Sequence, residues 1–282
     1  MHLSDGNVLA FCHVEKAAGT SLIHVLRQLF PTGYVDARPL TRGNSGFFGR
    51  ADFEVLKKLH PGLACIGGHA VVPHSDLMGA KAGFRFVTLL RDPVSRVVSH
   101  YRFWVERMGS QFGPEDFLQH PVASNFQVRK IAGTNNVAKA IDVIRQHFVM
   151  VGTIEEFDEF LLLLAGYISV PSSEMLYQSR NIAGDKQAIA LPAEFHERVA
   201  ELNKLDSELY SWVRSELVPG YIRQYGSAYN ENLIKFRQLL AGQSGHPGSS
   251  LAGNIMRNVY IKPLTGLIRV WNGIPYSGSY KD

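Results

Sequence analysis

An arginine and a serine in one short segment have the spacing to hold a phosphate. The segment FVTLLRDPVSRVVSHY, residues 86–101, begins with an apolar run that is typical of a buried strand. Asp92 and Pro93 then match the cap and the first position of a helix. Arg91 is therefore predicted at the carboxyl end of the strand, and Ser99 on the helix that follows. We expect this pair to frame an anion site.

A second segment, Val8 to Pro31, has the same order of strand, turn and helix. Its turn contains one lysine and then small residues, and backbone N–H groups that open a helix in this way suit a phosphate. The turn residues are Lys16, Ala17, Ala18, Gly19, Thr20 and Ser21. The Walker A pattern G-x-x-x-x-G-K-[ST] is absent from the sequence, which argues against an ordinary ATPase or GTPase.

Together, the sequences HVEKAAGTSL and RDPVSRVVSHY resemble the sulfotransferases that use 3′-phosphoadenosine-5′-phosphosulfate (PAPS). The closest resemblance is to the heparan and chondroitin branch, especially the uronyl 2-O type. It implies an α/β fold with a P-loop-like, mostly parallel sheet and helices on both faces. It also implies that Arg91 and Ser99 bind the 3′-phosphate of the donor. The residues that it assigns to the 5′-phosphosulfate are Lys16, Ala18, Gly19, Thr20 and Ser21.

The first motif departs from the family pattern at two positions. Glu15 stands where the family has proline, and Ala17 stands where it has threonine, so one hydroxyl near the phosphosulfate is missing. These changes leave open a non-catalytic nucleotide-binding or interaction module, in which the cradle survives without chemistry. A P-loop kinase-like phosphotransferase is the other alternative. It is disfavoured by the absent Walker A pattern and by the 3′-phosphate motif.

Sulfuryl transfer to a hydroxyl needs in-line geometry, charge neutralisation and a base. We expect Lys16 to supply the neutralisation. The sequence LACIGGHAVVPH places His69 and His74 just beyond a predicted strand. In the uronyl branch a His-Gly-His sequence follows the equivalent strand. The resemblance assigns the catalytic base, its second histidine, to His69, while the first histidine is replaced by Gly67 here. An imidazole suits proton transfer at neutral pH.

Other interpretations of the polar residues near these motifs remain open. His69 could be an ordinary hydrogen-bonded loop histidine, since the chain has 11 histidines. His74 is interpreted as a loop or acceptor-site residue, and His13 as a core residue or one that orients the turn. Glu15 is the alternative base, although a solvated or lysine-paired carboxylate is simpler. The histidines lack ligand spacing, so no metal site is predicted.

Later parts of the chain, as far as about residue 215, also resemble the family and are interpreted mainly as scaffold. The segment around Tyr177, Arg180 and Asn181 corresponds to one that closes over the nucleotide in relatives. On that basis Arg180 is assigned to cofactor binding. A surface loop would have the same sequence character.

Short apolar strands alternate with helices, which predicts a mostly parallel sheet with ligands at the carboxyl ends of its strands. The predicted strands are Val8 to Val14, Leu63 to Gly67, Phe84 to Leu90 and Phe148 to Ile154. The predicted helices are Thr20 to Phe30, Asp52 to Leu59, Val94 to Arg107, Asn136 to Gln146, Glu155 to Leu164, Pro192 to Leu217 and Asn230 to Leu240.

The predicted sulfotransferase domain covers residues 1–240, and residues 241–282 are interpreted as a Gly/Ser/Pro-rich linker and a C-terminal tail. The tail mixes apolar, basic and aromatic residues. Packing on the domain is the preferred interpretation, and contact with a partner or a membrane surface are the alternatives.

Composition limits the class of protein. With 282 residues and 45% hydrophobic content, the chain can form one large α/β domain. Cys12 and Cys65 lie in apolar runs and are predicted to be buried free thiols, which fits a reducing compartment. The net charge of +4 suits an anionic cofactor and does not indicate nucleic acid. We expect a bacterial, cytoplasmic enzyme with a small-molecule or glycan acceptor and no transmembrane segment.

Overall fold

The computed structural model describes residues 7–43, 46–80, 82–178, 190–243 and 250–274. A five-stranded sheet with the order β2-β3-β1-β4-β5 forms its centre, and all its neighbouring strands are parallel. This arrangement confirms the predicted α/β fold with a parallel sheet. The strands are β1 (Asn7–Cys12), β2 (Tyr34–Asp36), β3 (Cys65–Gly68), β4 (Gly83–Leu90) and β5 (Phe148–Thr153).

Helices connect the strands and flank the sheet. They are α1 (Gly19–Leu29), α2 (Arg50–Leu59), α3 (Pro93–Arg102), α4 (Pro114–Leu118), α5 (Phe126–Ala132), α6 (Val137–His147), α7 (Phe157–Ile168), α8 (Ala193–Leu202), α9 (Lys204–Trp212), α10 (Val218–Tyr225), α11 (Tyr229–Ala241), α12 (Leu251–Ile255) and α13 (Lys262–Trp271). Helix α7 is apolar on nearly every side and packs between β5 and helices α10 and α11, as expected for a helix without a solvent face.

Parallel pairing brings the ends of the three central strands to one edge of the sheet. Strand β1 lies between its two partners, with Leu9 opposite Cys65 of β3 and Arg85 of β4. Strand β1 is buried along nearly its whole length, and this explains its continuous apolar sequence. The turn after β1, the residues after β3 and Arg91 after β4 therefore meet at the carboxyl edge.

The four predicted strands are found within two residues of their expected bounds. The three-residue strand β2 was not predicted, because a strand so short shows no alternation of apolar and polar residues. The prediction of one helix from Pro192 to Leu217 is wrong, since the helix breaks at Asn203. The buried Asn203 amide donates to Ala123 O at 2.7 Å and to Val199 O at 2.8 Å, and it draws the chain toward a neighbouring loop.

Two wide helical turns of the π type precede prolines. Residues Val213–Leu217 lead into α10, which contains Pro219, and residues Met256–Ile261 lead into α13, which contains Pro263. Proline inside a helix lacks a donor and clashes with the carbonyl of the preceding turn. A wider turn displaces that carbonyl, so both helices continue past their prolines.

The C-terminal helices lie against the domain. Tyr260 donates from its hydroxyl to Leu59 O at 3.2 Å, and Arg269 Nη1 donates to Pro39 O at 3.1 Å. Ile261 is 3% exposed and belongs to the main hydrophobic core. In the part of the chain that the structure describes, no helix is both long and apolar enough to cross a membrane.

Candidate active site

The turn between β1 and α1 has an unusual backbone. Lys16 and Ala18 both adopt the left-handed conformation, with φ of 68° and 51°, which L-residues occupy only under constraint. Helix α1 begins at Gly19, and the N–H groups of Ser21 and Leu22 donate to Ala18 O. The first N–H groups of a helix have no acceptor within the helix. The turn therefore presents backbone donors, as an anion cradle requires.

The two hydroxyls predicted for the cradle differ in accessibility. Thr20 is exposed, whereas Ser21 is only 8% exposed. Ala17 is buried against the core, so a threonine at its position would not have an exposed side chain in this backbone. Thr20 is thus the accessible hydroxyl at the start of α1.

Lys16 and Arg91 meet at the carboxyl edge of the sheet. Arg91 Nη1 donates to Lys16 O at 3.1 Å, and Lys16 Nζ lies 4.2 Å from the centre of the Phe103 ring. Burial and the nearby Arg91 and Arg107 lower the pKa of Lys16, and burial lowers the pKa of Arg91. Among the described residues, the buried Nε atom of Arg91 has no hydrogen-bond acceptor. This concentration of positive charge would be relieved by a bound anion.

The main chain of Arg91 is held by a buried amide. Arg91 N donates to Gln127 Oε1 at 3.0 Å, and Gln127 Nε2 donates to Arg91 O at 2.9 Å. Asp206 in turn accepts from the N–H groups of Gln127 and Val128 at 3.0 and 2.8 Å. Burial raises the pKa of Asp206. The segments interpreted as scaffold thus fix the position of the proposed phosphate-binding arginine.

Glu15 lies at the centre of a buried ionic cluster. Its Oε1 atom is 3.1 Å from Lys130 Nζ and 3.1 Å from His69 Nδ1. Lys130 Nζ also donates to His69 O at 2.7 Å. Burial alone would raise the pKa of Glu15, but Lys130 and His69 outweigh it and lower that pKa to about 2. Of the two interpretations of Glu15, a solvated or a lysine-paired carboxylate, the structure supports the second, because Glu15 is buried and pairs with Lys130.

His13 lies between this cluster and the turn after β1. Its ring stacks on that of His69, with centroids 4.0 Å apart, and on that of Phe11. A β-carbon added to Gly19 would lie 1.7 Å from His13 Nε2, so only glycine fits at the start of α1. Burial, followed by the nearby His69, holds the pKa of His13 well below its usual value. His13 therefore serves as a neutral spacer between the turn and His69.

The other predicted site residues take varied places. Ser99 is half-buried on α3, the helix that follows Arg91. The His74 ring packs edge-on against Phe47 at 5.0 Å and adjoins Gly133. Tyr177 donates to Asp158 Oδ1 at 2.8 Å, which ties it to α7. The remaining two, Arg180 and Asn181, lie outside the described residues.

Three polar residues of the site, Gln127, Lys130 and Asp206, were not singled out from the sequence. Gln127 and Lys130 lie among the buried residues of α5, and Asp206 is buried in α9. The only signal of these residues in the sequence is that a glutamine and a lysine occupy core positions of a short amphipathic helix. Lys130 is the clearest case, since a buried lysine requires a partner.

The sequence also matches a known family. A search of curated proteins returned no match. A family model described as the Sulfotransferase family matches residues 1–237. That range contains the whole parallel sheet, the turn after β1, His69 and Arg91. With most of its length matched, the chain belongs to the sulfotransferase family.

Proposed function

We propose that this chain transfers a sulfuryl group from PAPS to a hydroxyl of a carbohydrate or glycoconjugate, with His69 as the base. The observation that carries the proposal is the 3.1 Å hydrogen bond from Arg91 Nη1 to Lys16 O. It joins the two motifs that the family uses for the two ends of the donor. Within this proposal residues 1–240 form the catalytic domain, and residues 241–282 form the linker and tail.

The residues at this edge fit a donor with two separated anionic groups. The left-handed turn offers backbone donors beside Lys16, and Arg91 has an unused Nε donor in the described structure. The proposed 5′-phosphosulfate residues are Lys16, Ala18, Gly19, Thr20 and Ser21. Arg91 and Ser99 would hold the 3′-phosphate, and Arg180, which lies outside the described residues, would contact the nucleotide. PAPS supplies a sulfuryl group on a phosphate leaving group.

Glu15 and Lys130 prepare His69 for proton transfer. Because Glu15 remains ionised beside Lys130, its Oε1 atom can accept the Nδ1 proton of His69. The lone pair on Nε2 of His69 is then available to accept a proton. The side chain is 40% exposed, so a substrate that approaches from the solvent can reach it. Nε2 takes the hydroxyl proton while the acceptor oxygen bonds to sulfur and the bond from sulfur to the phosphate oxygen breaks. Lys16 stabilises the charge that develops on the departing phosphate.

A carbohydrate acceptor is supported by the resemblance of the Gly68–His69 position to the uronyl branch. A cytoplasmic, bacterial setting is compatible with Cys12 and Cys65, which are both buried free thiols.

Calorimetric titration with nucleotides tests whether PAPS is the donor. Turnover with candidate acceptors tests whether the protein catalyses sulfuryl transfer. The protein should bind 3′-phosphoadenosine-5′-phosphate (PAP) at least ~10-fold more tightly than AMP, because only PAP engages Arg91 through charged hydrogen bonds. Release of PAP from PAPS should then depend on an acceptor from a panel of sugars, glycolipids and phenols. Equal affinity for PAP and AMP would contradict PAPS dependence. Tight binding of PAP without turnover on any acceptor would instead favour a binding module.

A further inference from the structure

The C-terminal helices present two opposite faces. Helix α12, the wide turn Met256–Ile261 and α13 run on continuously from residue 251 to residue 271. The face toward the domain contains the buried residues Gly253, Ile261 and Arg269. A β-carbon on Gly253 would lie 2.1 Å from Pro31 O, which shows how closely this face packs.

The outer face of the same helices is apolar and exposed. Large apolar side chains recur every four or eight residues along these helices. Each of them lies two residues from Gly253, Ile261 or Arg269, the positions that face the domain. In a helix, an offset of two residues places side chains on roughly the opposite side. The exposed fractions are 75% for Leu251, 52% for Ile255, 69% for Val259, 67% for Leu267 and 90% for Trp271, and the neighbouring Val270 is 77% exposed. We call this row of side chains the outer face.

The surroundings of the outer face are cationic. Residues 250–274 contain no aspartate or glutamate, and they include Arg257 and Lys262. Lys262 is exposed. Arg42 is also exposed, and its Nε donates to Asn272 O, just after α13, at 2.6 Å. Lys58 is also exposed and precedes Leu59, whose carbonyl accepts from Tyr260. An apolar row bordered by basic groups is complementary to a surface with anionic headgroups over hydrocarbon.

We propose that the outer face binds an anionic lipid bilayer, with the helices lying parallel to its surface. The apolar side chains would enter the boundary between headgroups and acyl chains, and Trp271 would occupy the interfacial level that tryptophan prefers. Lys262, Arg42 and Lys58 would contact lipid phosphates. A second copy of this chain is a poorer occupant, because two cationic helices would face each other.

Vesicle sedimentation with the full chain tests the proposal. The chain should bind phosphatidylglycerol-containing vesicles at least ~10-fold more tightly than pure phosphatidylcholine, since the basic groups near the outer face attract anionic headgroups. Binding should weaken with added salt. Trp271 emission should shift to shorter wavelength on binding, and Trp271→Phe should remove that shift.

A pair of matched variants identifies the surface. Val259→Glu with Leu267→Glu should abolish vesicle binding and leave PAP affinity unchanged, because both side chains are already in water. The control, Ile234→Glu with Leu239→Glu, changes two residues of α11 that are 59% and 45% exposed and should bind vesicles normally. Circular dichroism establishes that each variant is folded.

Three results would overturn the proposal. They are absence of binding to anionic vesicles, binding that survives the outer-face variant, and a dimer in sedimentation velocity that only this variant dissociates. The last result would assign the outer face to a second copy of the chain. None of them bears on the proposed sulfuryl transfer, which PAP binding and turnover test separately.

Discussion

The carboxylate of Glu15 lies 3.1 Å from Nδ1 of His69, although the two residues follow different strands of the sheet. The resemblance to sulfotransferases places proline at this position, and proline has no side-chain acceptor. In this chain the substitution therefore creates a contact to the proposed base. We infer that Glu15, one of the two departures that raised the alternative of a non-catalytic module, positions His69.

Glu15→Gln tests that positioning role. The amide keeps the shape of the side chain but removes the charge that faces Nδ1 of His69 and pairs with Lys130. We expect kcat to fall by about 10²-fold, within the usual range for acid–base catalysis, with PAP affinity within a few-fold of normal. The control is Glu54→Gln, which removes an exposed ion pair with Arg50 and should leave kcat unchanged. A parallel loss of PAP binding would show instead that Glu15 holds the turn.

Acid should destabilise the protein through Glu15. Its pKa is lowered from 4.5 to about 2 in the folded state, so its contribution is present above about pH 4.5 and is lost as the pH falls toward 2. A shift of that size corresponds to roughly 3 kcal/mol. Urea unfolding from pH 7 to pH 3 should show a gap between wild type and Glu15→Gln that narrows with acid. A gap that is constant with pH would contradict this assignment.

The sequence predicted the residues at the carboxyl edge of the sheet better than the buried polar residues that hold them in place. Lys16, His69 and Arg91 each follow an apolar strand, and parallel pairing places such ends together, so their proximity follows from local patterns. The partner of Glu15 is 115 residues away in the chain, and nothing local in α5 reveals that Lys130 turns toward β1. The role of Asp206 could not be recognised from the sequence for the same reason. Buried polar pairs of this kind depend on tertiary packing, which a single sequence does not show.

Gly19 should tolerate no side chain. In Gly19→Ala the new β-carbon would overlap the His13 ring and displace it toward His69. We expect a loss of about 1–3 kcal/mol in the free energy of unfolding, as for overpacked cores, together with weaker PAP binding. Gly266→Ala is the control, since that position in α13 is open and alanine favours a helix. Adding His13→Ala to Gly19→Ala should restore stability, and failure to do so would locate the strain elsewhere.

Arg91 should discriminate between nucleotides, and Lys16 should not. Arg91→Ala should weaken PAP by at least ~10-fold and leave AMP nearly unchanged, because the guanidinium is proposed to engage the 3′-phosphate. Lys16→Ala should weaken both ligands, since both carry a 5′-phosphate. Calorimetry on the two variants measures these affinities, with the exposed Arg223→Ala as the control. Equal losses for PAP and AMP in Arg91→Ala would place its side chain at the 5′ end.

His69→Ala should remove turnover without removing the donor site. A base acts on the acceptor hydroxyl, so the loss of His69 should cost ~10²–10⁴ in kcat while PAP affinity stays within a few-fold. His196→Ala is the control, because that partly exposed ring contacts only neighbours near the start of α8, Pro192 O and the Phe195 ring, among the described residues. The comparison with Glu15→Gln separates the two candidate bases. If His69→Ala retains turnover and Glu15→Gln loses it, the carboxylate is the base and His69 serves to hold it.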